Sequence, residues 1–176
     1  MKRERIPLSG TDWLLNGISL AIALGSIVYA AAIYSDLPDQ VPTHFNFAGE
    51  ADAWGSKANI WLGPIIMVPT ILALLAIAVF NQKTNSNGRE LSHAGHVKVL
   101  KDVRRMLLLL CVSLGVMSWA IVLSMSQHEA GNILTIISLV MLLGVSLLYT
   151  IKMLATAKRD PGLESDGETR GRGPFL

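Results

Sequence analysis

Four long apolar runs divide the chain, and they constrain its fold more than any other feature. Each run contains roughly 20 residues, the length with which an α-helix crosses a hydrocarbon core of about 30 Å. The chain has 176 residues, of which 51% are hydrophobic and 16% are charged. That charged fraction lies below the roughly 25% of an average soluble domain. The runs predict membrane-spanning helices at residues 13–34, 60–80, 106–126 and 133–154.

The first run follows a basic start, "MKRER", and contains "YAAA" near its end, so a cleaved signal peptide is one interpretation. Its apolar stretch, residues 13–34, is longer than the roughly 7 to 15 residues of a signal-peptide core. We therefore expect an uncleaved first membrane helix.

Lysine and arginine residues are distributed unevenly among the polar segments. Fourteen of the fifteen lie before the first run, between the second and third runs, or at and after the end of the fourth run. Only Lys57 lies between the first and second runs. Because cytoplasmic loops carry the excess of Lys and Arg, we expect both termini in the cytoplasm and residues 35–58 on the outer side.

The predicted fold class is an all-α membrane protein over residues 1–158, a four-transmembrane-helix antiparallel bundle with a structured outer loop at residues 35–58. The segment "QHEAGN", which contains His128 and Glu129, also faces outward, and its shortness predicts a tight helical hairpin.

The tail, residues 159–176, is rich in Gly, Pro and charge, which predicts disorder. Residues 163–176 also have the form of a cloning junction with a tag remnant, so their native origin stays open.

A basic segment, residues 83–105, separates the second and third runs. Its second half has an apolar stripe beside basic residues, which predicts a helix that Ser92 caps and that continues into the third run. One interpretation is contact with anionic headgroups of the lipid bilayer, and another is a docking surface for a cytoplasmic regulator. His93 and His96 lie one helical turn apart, but two ligands make a poor metal site.

The apolar runs contain little that would support chemistry inside the membrane. No Asp, Glu, Lys or Arg occurs in them before Lys152, whereas proton relays and ion paths are marked by such residues. The sequence also lacks the common nucleophile, zinc-protease and phosphate-binding motifs. Pro64 and Pro69 predict a kink in the second helix.

Because the other outer segment is very short, a function outside the cell must be built mainly from residues 35–58.

The outer loop reads "SDLPDQVPTHFNFAGEADAWGSK". Pro38 and Pro42 favour extended backbone in the residues before them, so we expect a stiff, polyproline-like arm. Gly49 is expected to take a positive φ in a turn, and Ser56 to cap the following helix. Pro38, Pro42 and Gly49 are thus predicted to shape the loop.

The polar residues of this loop permit three interpretations. They hydrogen-bond within the loop; they recognise a ligand, with Phe45 and Trp54 as apolar anchors; or His44, Glu50 and Asp52 converge as a metal site or an acid and base pair. No catalytic residue and no cofactor are predicted, and a metal is left open. The candidate ligand-binding residues are His44, Phe45, Asn46, Glu50, Asp52 and Trp54.

The stretch "LPDQVPTHFNFAGEADAWGSK" resembles the hallmark of a bacterial domain of unknown function found at the front of SdpI-like immunity proteins. The pattern of that hallmark reads roughly Leu-Pro-x-x-(Ile/Val)-Pro-x-His-(Phe/Trp)-Asn-x-x-Gly-x-x-Asp. The residues that match it are Leu37, Pro38, Val41, Pro42, His44, Phe45, Asn46, Gly49 and Asp52.

The resemblance implies a multi-pass protein of the bacterial plasma (inner) membrane. We expect a small binding or immunity-like membrane protein whose outer loop recognises an extracellular or membrane-borne ligand, either a peptide such as a toxin or a small ligand. In the best understood members, the protein protects a cell from a secreted antimicrobial peptide and, when the toxin binds, holds a transcriptional repressor at the membrane. Those proteins carry further membrane helices after this domain, and the resemblance names no catalytic residue. The alternatives are a membrane enzyme or metal-dependent protein and a small transporter or subunit of a homo-oligomer. No nucleic-acid partner is predicted.

Overall fold

The computed structural model describes residues 6–46, 48–80 and 93–159, and within them the chain forms long helices and one β-hairpin. The four long helices are each long and apolar enough to cross a membrane. In chain order the elements are α1 (Gly10–Ile33), β1 (Gln40–Phe45), β2 (Ala51–Ser56), a short 3-10 helix (Lys57–Trp61), α2 (Leu62–Phe80), α3 (His93–Met125) and α4 (Ala130–Lys158).

Each predicted run forms a helix, and α1, α3 and α4 are longer than the apolar runs that predicted them. Helix α3 begins at His93 rather than at residue 106, because the predicted amphipathic basic segment continues into it without a break. Helix α4 likewise extends beyond residues 133–154 at both ends. The proposed Ser92 cap and almost all of the predicted disordered tail lie outside the described residues.

Helix α1 begins with a reciprocal cap. The Asp12 backbone N–H donates to Ser9 Oγ at 3.2 Å, and the Ser9 N–H donates to Asp12 Oδ2 at 2.9 Å. This capping box satisfies two backbone donors. It starts the helix at Gly10, ahead of the first apolar residue of the run.

Helices α1, α2 and α3 pack together, and small residues allow close approach. A Cβ added at Gly115 of α3 would lie 2.8 Å from Ile22 Cγ2 of α1, so a larger residue there would require Ile22 to shift. Small residues serve this purpose in membranes, where packing replaces the hydrophobic effect between helices. The buried cluster that joins the three helices consists of Ala23, Ile71, Leu75, Ala78, Leu108 and Cys111.

Hydrogen bonds between helices supplement this packing. The hydroxyls of Ser26 in α1 and Ser118 in α3 lie 2.9 Å apart, and both are fully buried. The Trp119 indole N–H donates to the Ile22 carbonyl at 2.9 Å. Buried polar groups are costly without partners, so these bonds fix the register of α1 against α3.

Helix α4 packs along α3 and leaves most of its own surface uncovered. Its outward face is a continuous set of branched apolar side chains, each more than one third exposed, which suits contact with lipid. These exposed residues are Ile133, Ile136, Ile137, Leu139, Val140, Leu143, Leu147, Leu148, Ile151 and Leu154.

The outer loop differs from the prediction, because it forms a β-hairpin instead of a polyproline-like arm. Strand β1 pairs antiparallel with β2, with Val41 opposite Gly55 and Phe45 opposite Ala51. The pairing is irregular on both sides of His44, since Pro42 has no N–H to donate and strands accommodate proline at such irregularities. The fold is therefore mostly helical with a small two-stranded sheet, not strictly all-α.

The base of the hairpin is embedded in the bundle. Val41 and Ile60 are fully buried in a cluster with Ala30, Val122 and Met125, which lie near the ends of α1 and α3 that meet the hairpin. Asp39 and Lys57 close the open end with an ion pair at 3.3 Å. The hairpin is thus a rigid cap that the helices hold.

Only one of the two prolines expected to kink α2 lies in its interior. Pro64 is in the first turn, where the missing N–H removes no helical hydrogen bond. Pro69 lies inside the helix and does remove one. The prediction was therefore wrong for Pro64.

Candidate functional site

Asn46 organises the turn of the hairpin. Its side-chain oxygen accepts from the backbone N–H groups of Ala48 at 2.9 Å and Glu50 at 3.0 Å, and its amide donates to the Glu50 carboxylate at 3.2 Å. Gly49 has the predicted positive φ, at 81°. Asn46 and Glu50 are therefore used within the turn, as Asn commonly is.

His44 and Asp52 form a pair across the hairpin. His44 Nδ1 lies 2.5 Å from Asp52 Oδ1, and their side chains are 69% and 45% exposed. The His44 ring is held by a carboxylate rather than by backbone carbonyls. Because both groups remain in contact with water, the pair stabilises the hairpin only modestly.

The convergence of His44, Glu50 and Asp52 that a metal or catalytic site requires does not occur. His44 contacts Asp52, whereas Glu50 contacts Asn46. Within the described ranges, no three His, Cys, Asp or Glu residues are grouped so that they could hold a metal ion. The side chain of His93, proposed as one of a pair of ligands with His96, lies outside the described part of the chain.

A cleft of about 240 Å³ lies between the hairpin and the connection of α3 to α4; we call it the outer cleft. The hairpin supplies apolar side chains to it and the connection supplies polar ones. Its lining residues are Pro42, Phe45, Gly49, Ala51, Trp54, Ser124, Gln127, His128, Glu129 and Asn132.

The connection at the end of α3 has a tightly defined shape. The His128 N–H donates to the Leu123 carbonyl at 2.9 Å and the Gln127 N–H to the Ser124 carbonyl at 3.0 Å, the hydrogen bonds of a Schellman motif. Gln127 takes the left-handed position of that motif, with φ of 59°. A glutamine in this conformation is strained, and it lines the outer cleft.

The size and lining of the outer cleft limit what it can receive. Its volume is below the 300 Å³ or so at which sites for small molecules begin, so it accommodates one bulky side chain or a part of a larger ligand. Phe45 and Trp54 offer aromatic surface, and Gln127, His128 and Asn132 offer hydrogen bonds. This combination suits an apolar side chain together with the polar backbone beside it.

The structure divides the six predicted ligand-binding residues into three pairs. Phe45 and Trp54 line the outer cleft. His44 and Asp52 bond to each other, and Asn46 and Glu50 close the turn. Of the three residues predicted to shape the loop, Pro42 is buried at the cleft and Gly49 is in the turn, while Pro38 is exposed before β1.

Sequence reasoning placed His128 and Glu129 on the outer side but missed their role as the second wall of the cleft. It also missed Asn132, whose side-chain amide donates to the Gly49 carbonyl at 3.1 Å. The sequence signal for this second wall was the polar segment "QHEAGN", which connects the third and fourth apolar runs on the same predicted side of the membrane as the hairpin.

Comparisons with known proteins match one part of the chain. Residues 21–68, from the middle of α1 through the hairpin into α2, match the domain of unknown function DUF1648. An uncharacterized protein of Archaeoglobus fulgidus is 38% identical over 72 residues, which are 39% of this chain and 39% of that protein. No solved structure matches the chain. The segment that carries the hairpin and half of the outer cleft is thus similar to a domain whose function is not known.

Proposed function

We propose that this chain is an integral membrane protein that binds an extracellular or membrane-borne peptide, and that its outer cleft receives a bulky apolar side chain of that peptide. The observation that carries the proposal is that Phe45 and Trp54 line one cleft with hydrogen-bonding groups around it. Aromatic anchors in a concave site with a polar rim are the usual centre of binding energy in peptide recognition. The mechanism is binding, without bond breaking.

The exposure of Trp54 supports this use. Its side chain is 51% exposed, so a ligand would remove apolar area from water. A tryptophan side chain buries 150–250 Å², and covering about half of that is worth roughly 2–3 kcal/mol. The hairpin is held from both ends, by the embedded cluster and by Asn132, so little ordering cost opposes this gain.

The proposed membrane is the bacterial plasma membrane, with both termini in the cytoplasm and the hairpin outside. The distribution of Lys and Arg supports this orientation. The proposed ligand is a secreted antimicrobial peptide, and the proposed role is immunity. The support for that role is the hairpin motif, which resembles SdpI-like proteins and falls within the residues matched by DUF1648.

A cytoplasmic regulator is proposed to dock on the basic segment 83–105. Its described part, residues 93–105, is the first part of α3 and is continuous with the helix that lines the outer cleft at Ser124. A rigid helix that reaches both faces supplies a physical link between a ligand outside and a partner inside.

Survival of a toxin-sensitive bacterial host tests the proposed function. Cells that express the native chain are expected to survive a secreted antimicrobial peptide at concentrations that kill the host alone. Trp54→Ala is expected to lower the peptide concentration that the cells survive at least about tenfold, because the variant loses roughly 2–3 kcal/mol of binding free energy. His44→Ala and Asp52→Ala, at equal membrane abundance, report how far the hairpin pair supports binding.

Trp13→Ala is the matched control. Trp13 is also an exposed tryptophan, at 65%, but it lies at the opposite end of α1. Protection retained in Trp13→Ala and lost in Trp54→Ala supports the outer cleft as the binding site. Absence of protection by the native chain would contradict the proposed immunity role. Equal loss of protection in both variants would contradict the outer cleft as the binding site.

A further inference from the structure

A second cleft, of about 250 Å³, lies at the end of the bundle opposite the hairpin; we call it the inner cleft. It is formed by the segment before α1 and by the first part of α3. Its lining residues are Pro7, Leu8, Ser9, Asp12, Lys101, Arg104 and Arg105. The outer cleft does not use these residues, although Lys101, Arg104 and Arg105 belong to the segment 83–105 on which the regulator is proposed to dock.

Arg104 builds one wall of the inner cleft. Its side chain is 1% exposed and donates to the carbonyls of Pro7 and Ile6, both at 2.9 Å. It also donates to Asp12 Oδ2 at 3.1 Å. This arrangement pins the segment before α1 to α3, and the carboxylate of Asp12 compensates the charge of Arg104.

Lys101 and Arg105 leave the inner cleft with an excess of positive charge. They lie four residues apart on α3, so they share one face of the helix, and both are exposed. In the described part of the chain neither has an ion-pair partner. The nearby carboxylate of Asp102 is already paired with Lys152 of α4 at 2.6 Å. Two positive charges of the cleft are thus available to an anion.

The position of the inner cleft along α1 indicates the kind of anion. Asp12 lines the cleft, and the next two residues, Trp13 and Leu14, are 65% and 62% exposed. Tryptophan is enriched at the level of lipid headgroups, and apolar residues beyond it face acyl chains. An anion in the cleft would therefore lie at headgroup depth, directly above an apolar surface.

We propose that the inner cleft binds the phosphate of an anionic phospholipid, with Lys101 and Arg105 contacting the phosphate and the acyl chains lying against α1. Basic pockets between membrane helices are suited to such headgroups, and an arginine can contact phosphate oxygens in a bidentate manner. The proposal requires the membrane placement of α1 and is independent of the function proposed for the outer cleft.

Titration of the full-length chain in detergent micelles with phosphatidylglycerol, followed by native mass spectrometry, tests this proposal. The native chain is expected to bind one phosphatidylglycerol more tightly than phosphatidylcholine. Lys101→Gln with Arg105→Gln removes both charges from exposed positions and is expected to weaken that binding about tenfold or more. Phosphatidylcholine, whose choline ammonium offsets the charge of its phosphate, is expected to lose less affinity than phosphatidylglycerol. An unchanged circular dichroism spectrum reports that the variant is folded.

Lys98→Gln with Lys158→Gln is the charge-matched control, because both lysines are exposed on the same end of the bundle and do not line the inner cleft. It is expected to change the affinity for phosphatidylglycerol less than about twofold. An equal loss in the two double variants, or no loss in the cleft variant, would overturn the proposal. Displacement of the lipid by millimolar inorganic phosphate would instead show a site for a soluble anion and would also overturn it.

Discussion

Asn132 ties the tip of the outer hairpin to the first turn of α4, because its side-chain amide donates to the carbonyl of Gly49 at 3.1 Å. The two residues are 83 positions apart in the chain. This bond closes the outer cleft on the side opposite the embedded base of the hairpin. The shape of the cleft therefore depends on this contact between two elements that are distant in sequence, together with the embedded base of the hairpin.

Asn132→Ala is expected to destabilise the chain by about 1 kcal/mol, the net value of one such hydrogen bond. Hydrogen exchange at the backbone amides of Gly49 and Glu50 should accelerate, because the turn loses its link to α4. Thr150→Ala, which changes an exposed residue of the same helix, is expected to leave both the stability and the exchange rates of these amides unchanged. Equal protection of the turn in Asn132→Ala and the native chain would show that the bond does not hold the hairpin.

Gly49→Ala is expected to destabilise the chain by about 1–2 kcal/mol, the usual penalty for a left-handed residue with a Cβ. The φ of Gly49 is 81°, and the new Cβ would lie only 3.0 Å from Asn132 Nδ2. Gly17→Ala is the control, since a Cβ there meets nothing within 4 Å. A helical position like Gly17 should gain up to about 1 kcal/mol from alanine. Denaturant titration in micelles compares the free energies of unfolding of the two variants. A gain in stability for Gly49→Ala would contradict the left-handed conformation of Gly49 in the turn.

The sequence predicts some of these features well and others not at all, for physical reasons. The apolar runs show the helices because a membrane requires long uninterrupted apolar segments. Gly49 and Ser56 were predicted because turns and caps depend on local residue chemistry, and Ser56 does cap the 3-10 helix. The hairpin was missed because two prolines favour an isolated extended chain, and only the pairing of β1 with β2 overrides this preference.

Contacts between distant residues explain the remaining misses. Asn132 with Gly49 and Arg104 with Asp12 join separate helices or loops, and no local pattern marks them. Phe45 and Trp54 were identified from residue type as apolar anchors. Their shared cleft needed the second wall from "QHEAGN", whose approach depends on how α3 and α4 pack.

Gln127→Gly is expected to stabilise the chain by about 1 kcal/mol, because glycine takes the left-handed position at the end of α3 without strain. The measurement is again the free energy of unfolding in micelles. A side chain that lines the cleft is lost at the same time, so protection by this variant should fall even as stability rises. A loss of stability would contradict the assigned conformation of Gln127.

Arg104→Met is expected to destabilise the chain by about 3–5 kcal/mol, since it leaves the buried carboxylate of Asp12 without its cation. Adding Asp12→Asn should recover part of that loss, which a double-mutant cycle measures. Lys57→Met is the control, because its partner Asp39 is 96% exposed and such surface pairs contribute at most about 1 kcal/mol. Additive losses in the cycle would contradict the coupling of Asp12 and Arg104.

The central claim is that the hairpin and its cleft face the outside of the cell. Thiol labelling of intact cells with a membrane-impermeant maleimide tests it most directly, after Cys111, the single cysteine, is replaced by alanine. Ala53→Cys on the exposed hairpin should label in intact cells, and Lys158→Cys at the end of α4 should label only after permeabilisation. The reverse pattern would contradict the claim.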